Sequence, residues 1–206
     1  MTSELVRQRL EETMNVMEKT KQLSEEIVKA ADEIEKCYRN KGKVVLFGNG
    51  GSAAQAQHIS AEFVNKFLFD RPALAALSLT TDTSNITSIG NDSGYSHVFS
   101  RQIEALCNKG DVVIGFTTSD ATNEKEAKAS NSPSHSANIY NGFKAAKDKG
   151  CLTIGMLSER SIKTKEVCDI PIMIPSKETP RIQEAHIAVL HTVCEIVEKR
   201  LFGDLK

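Results

Sequence analysis

The sequence predicts an α/β fold, a doubly wound five-stranded parallel sheet with helices on both faces and an N-terminal helical extension. Three observations carry this prediction. Short continuous apolar runs, including Val44–Phe47, Val112–Phe116, Leu152–Leu157 and Ile170–Ile174, are what strands buried on both faces require. Helical patterns alternate with these runs over the last three-quarters of the chain, which makes βαβ units and therefore parallel pairing. The first run breaks into Gly48-Asn49-Gly50-Gly51-Ser52 and passes at once to helix-forming Ala53, Ala54, Gln55 and Ala56. A strand, a glycine turn and a helix N-terminus together form an anion site, because the backbone can approach closely and the helix dipole favours negative charge.

From Ser3 to Arg39 the pattern is helical. Leu10, Met14 and Met17 line one face, Leu23, Ile27, Ala30, Ala31 and Ile34 continue one after it, and neither Gly nor Pro occurs before Gly42. This stretch exceeds an ordinary globular helix, so two helices are expected with a break near Lys19–Leu23. Residues 1–40 are read as an extension for subunit packing and 41–206 as the α/β core of a single domain. After the first strand and helix, Arg71-Pro72 interrupts the chain and Ala73–Leu79 gives a second strand. Thr80–Ser84 reads as a turn, Ile86–Ile89 as a short helical piece, and Gly90–Gly94 as a binding loop. Val98–Cys107 is an amphipathic helix with Phe99, Ile103 and Leu106 inward. The third strand runs into a hydroxyl-rich loop, Thr117-Thr118-Ser119. Asn138–Lys149 is a helix ending at Gly150, Lys163–Cys168 a short one, and Thr179–Leu201 the last. In doubly wound sheets ligands sit at the carboxyl ends of the strands, where Gly48–Ser52, Asn91-Asp92 and Thr117–Ser119 all fall.

Composition narrows the function. The net charge is −1, from 26 basic and 27 acidic residues, with no basic block. That argues against a broad nucleic-acid surface. No apolar run is long enough to span a bilayer, and the start lacks a secretory pattern. Five cysteines without CxxC spacing fit reduced thiols in a cytoplasmic protein and exclude a zinc ribbon.

Two helices carry candidate chemistry. His58 and Glu62 lie four apart and share a face, which suits an acid/base or metal pair, although such pairs are commonly plain surface contacts. The last helix opens with Arg181-Ile182-Gln183-Glu184-Ala185-His186 and carries His191 further in. On a helical wheel Glu184 and His191 are nearly in line, while Gln183 and His191 stand about 80° apart. Periodicity leaves open which of Gln183, Glu184 and His186 faces a ligand.

The segments GNGGSAAQAQHISAEF, RPALAALSLTTDTSNITSIGND, FSRQIEAL, GDVVIGFTTS and RIQEAHIAVLH, in this order and spacing, resemble the phosphoheptose isomerases of the sugar isomerase (SIS) fold family. The resemblance covers nearly all of the chain from about residue 40. It implies a flavodoxin-like SIS domain and conversion of sedoheptulose 7-phosphate to D-glycero-D-manno-heptose 7-phosphate through a cis-enediol. That reaction is the first step of nucleotide-activated heptose biosynthesis for lipopolysaccharide or capsule. By the same resemblance Asn49, Gly50, Gly51 and Ser52 form the first substrate loop, Asn91 and Asp92 the second, and Thr117, Thr118, Ser119 and Ser136 the phosphate loop. His58, Glu62, Gln183 and His191 match positions that bind one zinc ion per subunit. Glu62 and Gln183 also match substrate contacts, and Glu62 with His191 the acid/base pair. The implied assembly is a homotetramer with active sites between subunits, with a sugar phosphate as partner and neither nucleic acid nor membrane.

The chain departs from the family in three places. Thr117 stands where the family has a serine, Lys66 where an arginine is common, and residues 120–133 form a polar insertion of about fourteen residues. Asp120, Glu124 and Glu126 would sit awkwardly beside a phosphate unless the insertion swings out, and a mobile loop or lid is the expected form. The insertion leaves room for a different ketose phosphate as substrate. A second alternative is a non-catalytic tetrameric relative that binds the bacterial replication initiator, but those proteins lack the equivalents of Glu62 and His191, both present here.

Overall fold

The computed structural model describes residues 2–121 and 136–203. Helix α1 (Thr2–Thr20) passes through a 3-10 turn at Lys21–Leu23 into α2 (Ser24–Arg39), so the break falls where the length of the helical stretch places it. There follow β1 (Val44–Gly48), α3 (Gly51–Val64), β2 (Ala76–Ser78), α4 (Thr83–Asp92), a 3-10 turn at Tyr95–His97, α5 (Ser100–Leu106) and β3 (Val112–Phe116). The chain continues with α6 (Ala137–Asp148), β4 (Leu152–Ser158), α7 (Ile162–Glu166), β5 (Ile170–Ile174) and α8 (Thr179–Phe202). Among the described residues all four strand pairings are parallel, in the order β2-β1-β3-β4-β5. This is the predicted doubly wound, flavodoxin-like sheet, and its strand order reverses between β1 and β3, where such folds open a crevice.

Alternation along each strand divides the core into two layers. Val44 and Leu46 of β1, with Ile114, Phe116, Met156 and Ile172, face α2, α3 and α8 through Ala31, Ile34, Ile59, Phe63, Ala185 and Val193. Val45 and Phe47 face the other way, onto Phe99 and Ile103 of α5 and Ile139 and Phe143 of α6. Phe47 packs on Phe99 and Phe143 with ring centroids 5.0 and 5.4 Å away. Gly115 makes this trio fit: a Cβ there would come within 2.4 Å of Phe143.

The structure differs from the sequence reading in four places. β2 is three residues rather than seven, because it is an edge strand that, among the described residues, pairs only with Val44–Leu46. α4 starts earlier and ends later than expected. The Asp82 carboxylate caps it by accepting from the Asn85 N–H at 3.0 Å, and Gly90, Asn91 and Asp92 form its last turn rather than a loop. Leu106 is 41% exposed rather than inward. The leading helices also divide their tasks. α2 is part of this chain's own core through Ala30, Ala31 and Ile34, whereas α1 leaves Leu5, Val6, Leu10 and Met14 exposed.

Of the insertion, only Asp120 and Ala121 fall within the described residues; the rest of 120–133, including Glu124 and Glu126, lies outside them. Asp120 turns away from the hydroxyl loop. Its carboxylate accepts from the N–H groups of Lys163 and Thr164 at 3.0–3.1 Å and from the Thr164 hydroxyl, so it caps the N-terminus of α7.

Candidate functional site

The glycine turn after β1 and the hydroxyl loop after β3 meet at the sheet's switch point. Gly50 takes φ +54°, a left-handed conformation that glycine tolerates best, and α3 begins at the next residue. Asn49 and Asn138 exchange two hydrogen bonds through their carboxamides, at 2.9 and 2.8 Å, joining the β1 turn to the start of α6. Ser52 is buried beneath the turn, against Gly48.

Three hydroxyls converge nearby. Ser136 Oγ lies 2.9 Å from Thr117 Oγ1 and 2.8 Å from Ser119 Oγ, so the structure brings Ser136 back to the loop from which the insertion separates it in sequence. Ser136 adopts φ +55° at the N-cap of α6, and its hydroxyl points at the cluster rather than at the helix's own N–H groups. Thr118 lies beside Thr179, their hydroxyls 3.2 Å apart, with its carbonyl held by Arg160 and Ser158. Clustered hydroxyls at the positive end of a helix suit an anionic ligand such as a phosphate. They border a cleft of roughly 570 Å³ lined by Asn49, Tyr95, His97, Ser119, Ser136 and Asn138, among others.

A second constellation sits on the seam between α3 and α8. His58 Nε2 is 2.8 Å from His191 Nε2 and 3.4 Å from Glu62 Oε1, and the donor atoms of all three residues lie within 4.8 Å of one another. Desolvation and the neighbouring His58 hold the His191 imidazole below its ordinary pKa, with Glu62 opposing them. A neutral imidazole is the form that accepts a proton or binds a metal. Two imidazoles and a carboxylate, open on one side with His58 46% exposed, make a donor set fitted to a divalent ion with a free coordination position.

The three polar candidates that periodicity left open on α8 point in three directions. Glu184 accepts from the Thr13 hydroxyl at 2.8 Å and pairs with Arg181 at 2.9 Å, tying α8 to α1. His186 is fully buried, with Nε2 3.0 Å from the Leu157 carbonyl. Gln183 turns toward the glycine turn, where its carboxamide occupies the space a Cβ on Gly51 would need, while its carbonyl accepts from Gln55 Nε2 at 2.6 Å. His58 lies seven residues further along α3, about 10 Å from Gly51. Among the described residues, those lining the cleft do not include His58, Glu62 or His191. Asn91 and Asp92 bond to each other at 2.7 Å and are likewise absent from the cleft lining, although Ser93 and Gly94 belong to it.

Sequence reasoning missed Tyr95, His97 and Asn138. Tyr95 donates its hydroxyl to Asn49 Oδ1 at 3.4 Å. The available signal was the Gly94 turn, whose φ of +88° sends the following Tyr95–His97 segment across the cleft; the expected loop stopped one residue short of it.

A family model for the SIS domain matches residues 9–125. The chain is 48% identical over 183 residues to a phosphoheptose isomerase of Clostridium acetobutylicum, covering 89% of this chain and 86% of that one. Its fold superimposes on a phosphoheptose isomerase from Neisseria gonorrhoeae with a TM-score of 0.84 at 35% identity, covering 97% of this chain and all of the other. A phosphoheptose isomerase from Francisella tularensis gives a TM-score of 0.86 at 28% identity, with 97% and 99% covered.

Burial pushes the His186 pKa down from 6.5 to about 4, opposed by its bond to Leu157. Below pH 6.5 the unfolded chain therefore takes up a proton that the folded chain refuses, so stability falls as pH drops towards 4, by roughly 3 kcal/mol at most. Urea midpoints measured from pH 7 to pH 4.5 are expected to decline less steeply in His186→Leu than in the parent. Identical slopes would remove His186 from the acid sensitivity.

Proposed function

The chain belongs to the SIS domain family and, within it, to the phosphoheptose isomerases, and on that premise we propose that it converts sedoheptulose 7-phosphate to D-glycero-D-manno-heptose 7-phosphate, opening nucleotide-activated heptose synthesis in the cytoplasm. The observation that carries this reading is the meeting of His58, Glu62 and His191 across two helices more than a hundred residues apart in sequence.

Isomerisation between a 2-ketose and an aldose removes a proton from C1, passes through a cis-enediol and returns a proton at C2. Glu62 is the base for the carbon-bound proton. His191, kept neutral by its desolvated position beside His58, accepts at one ring nitrogen and donates at the other, and so moves a proton between O1 and O2. The phosphate end sits against Thr117, Thr118, Ser119 and Ser136, where hydroxyl hydrogen bonds and the α6 dipole hold it and supply binding energy remote from the reacting carbons. Asn49, Gly50, Gly51, Ser52, Asn91 and Asp92 are assigned to the sugar, with Gln183 reaching the same turn. His58, Glu62 and His191 are the proposed ligands of one zinc ion per subunit, which when bound would polarise the substrate carbonyl as a Lewis acid; Gln183, the fourth ligand implied by the resemblance, is turned to Gly51 and would have to swing away from that turn to join them. A carboxylate or imidazole nitrogen held by a metal is a weaker base, so the ligand and proton-transfer roles compete at both Glu62 and His191.

We assign the active unit to a homotetramer with sites shared between subunits. Two features support this: Leu5, Val6, Leu10 and Met14 on α1 are 50–70% exposed, and the cleft and the His–Glu cluster share no lining residue within one chain. Such an apolar stripe favours a partner surface. No helix among the described residues is long and apolar enough to cross a membrane.

Three measurements test these assignments. In a coupled assay offering sedoheptulose 7-phosphate beside other ketose phosphates, the seven-carbon substrate should be preferred, and Glu62→Gln should lose activity by about 10²–10⁴-fold without a change in melting; retained activity would sink the base assignment. Metal analysis after gentle purification should find one zinc per subunit, and His58→Ala should reduce it; a metal-free preparation fully active in chelator removes the ion from the reaction. Sedimentation should give a tetramer that Leu10→Glu weakens, and an unchanged tetramer would exclude the α1 stripe from the interface.

A further inference from the structure

Arg71 and Glu198 form an ion pair with Nε and Oε1 2.9 Å apart and only 1% of either side chain exposed. Its hydrogen bonds reach well beyond the pair. Arg71 Nη2 donates to the Glu62 carbonyl at 2.7 Å, and Nη1 to the carbonyls of Phe63 and Pro72 at 2.9 and 3.0 Å. Glu62 and Phe63 are in the last turn of α3, whose carbonyls have no onward helical partners, so the guanidinium serves as that helix's C-terminal cap. Glu198, on α8, accepts the N–H groups of Phe67 and Leu68 at 2.9 and 2.7 Å. The Phe67 ring lies in turn against the His191 imidazole, centroids 5.3 Å apart and planes 33° from parallel.

We propose that the buried Arg71–Glu198 pair is a positioning device for the isomerase site, setting the Glu62 carboxylate and the His191 imidazole relative to each other across the α3–α8 seam. One partner holds the backbone of Glu62. The other holds the backbone of the residue whose ring braces His191. The proposal rests on the isomerase reading for its kinetic consequence and on these contacts alone for its geometric one.

Stability is a poor explanation of such a pair. Desolvating two charges offsets much of their attraction, and apolar side chains of similar volume commonly replace buried ion pairs without loss of stability. Apolar side chains cannot supply direction. A planar guanidinium and a two-oxygen carboxylate together fix two carbonyls of one helix and two N–H groups of the following loop in a single arrangement, which neither lysine nor a hydrocarbon reproduces.

The test compares the parent with Arg71→Met/Glu198→Leu, Arg71→Lys and Phe67→Leu, recording circular dichroism, thermal melting, kcat, KM and the imidazole NMR resonances of His58 and His191. The double variant is expected to fold and melt cooperatively with KM within about twofold, kcat lowered at least about tenfold, and shifted His191 resonances. Arg71→Lys, which keeps the charge and loses the fork, should also lose kcat. A folded double variant with parental kcat and unmoved resonances would overturn the proposal, as would kinetic loss confined to KM. If the double variant does not fold, Phe67→Leu decides: a severalfold drop in kcat with shifted His191 resonances supports positioning, and parental values for both refute it. An inactive parent would sink the functional reading, leaving the ring resonances to judge the geometry.

Discussion

The structure depends on the seam between α3 and α8. Three polar rungs cross it in order: Gln55 to the Gln183 carbonyl, His58 to His191, and Arg71 with the Phe67 and Leu68 N–H groups to Glu198. Between the rungs the helices are packed by Ala56, Ile59, Phe63, Ala185, Val189 and Val193 against one face of the sheet. Burial of that apolar surface, at roughly 25 cal/mol per Å², drives the helices together without fixing their register. The rungs fix it, because a shift of one residue would leave buried polar groups unpaired. Every chemical group in the His–Glu cluster takes its position from this register.

A second constraint comes from the sheet. A parallel sheet whose strand order reverses between β1 and β3 leaves the ends of those two strands without a helix over them. Into that gap the chain puts a glycine turn, a hydroxyl loop and the left-handed Ser136 that starts α6. The Asn49–Asn138 pair closes the two sides of the cleft against each other, and Gly115, one strand position behind, lets Phe47 and Phe143 pack tightly beneath it. The cleft is thus built on rigid, fully buried strands, while its lining is polar.

On the proposed reading the two constellations answer different halves of an isomerisation. The hydroxyl cluster, at a helix N-terminus, is suited to holding a charged group far from the reacting carbons. The His–Glu cluster offers a carboxylate and an imidazole of lowered proton affinity for moving protons. Asp120 illustrates how local charge is reconciled with this arrangement. Read along the sequence it is an acid next to the hydroxyl loop; in the fold its carboxylate is spent on the N-terminus of α7.

The sequence by itself determined the sheet, because both-face burial demands continuous apolar strands and the alternating helices demand parallel pairing. It also determined where the two polar loops fall, since glycine and hydroxyl clusters end strands in turns, and the break in the leading helices. The extent of α4 was hidden because Gly90 and Asn91 are turn residues by propensity and Thr83–Asn85 read as a turn, where the Asp82 cap starts the helix early. Only the tertiary structure decided which face of α8 meets α3: helical periodicity made Glu184 as good a candidate as Gln183, and the contact of Glu184 with Thr13 on α1 is between residues far apart in sequence. The roles of Arg71 and Glu198 were equally out of reach, since a buried ion pair is recognised only when both partners are seen leaving water together. Strand burial and turn chemistry are local properties that a sequence encodes directly, whereas the meeting of two distant helices is a property of the packed whole.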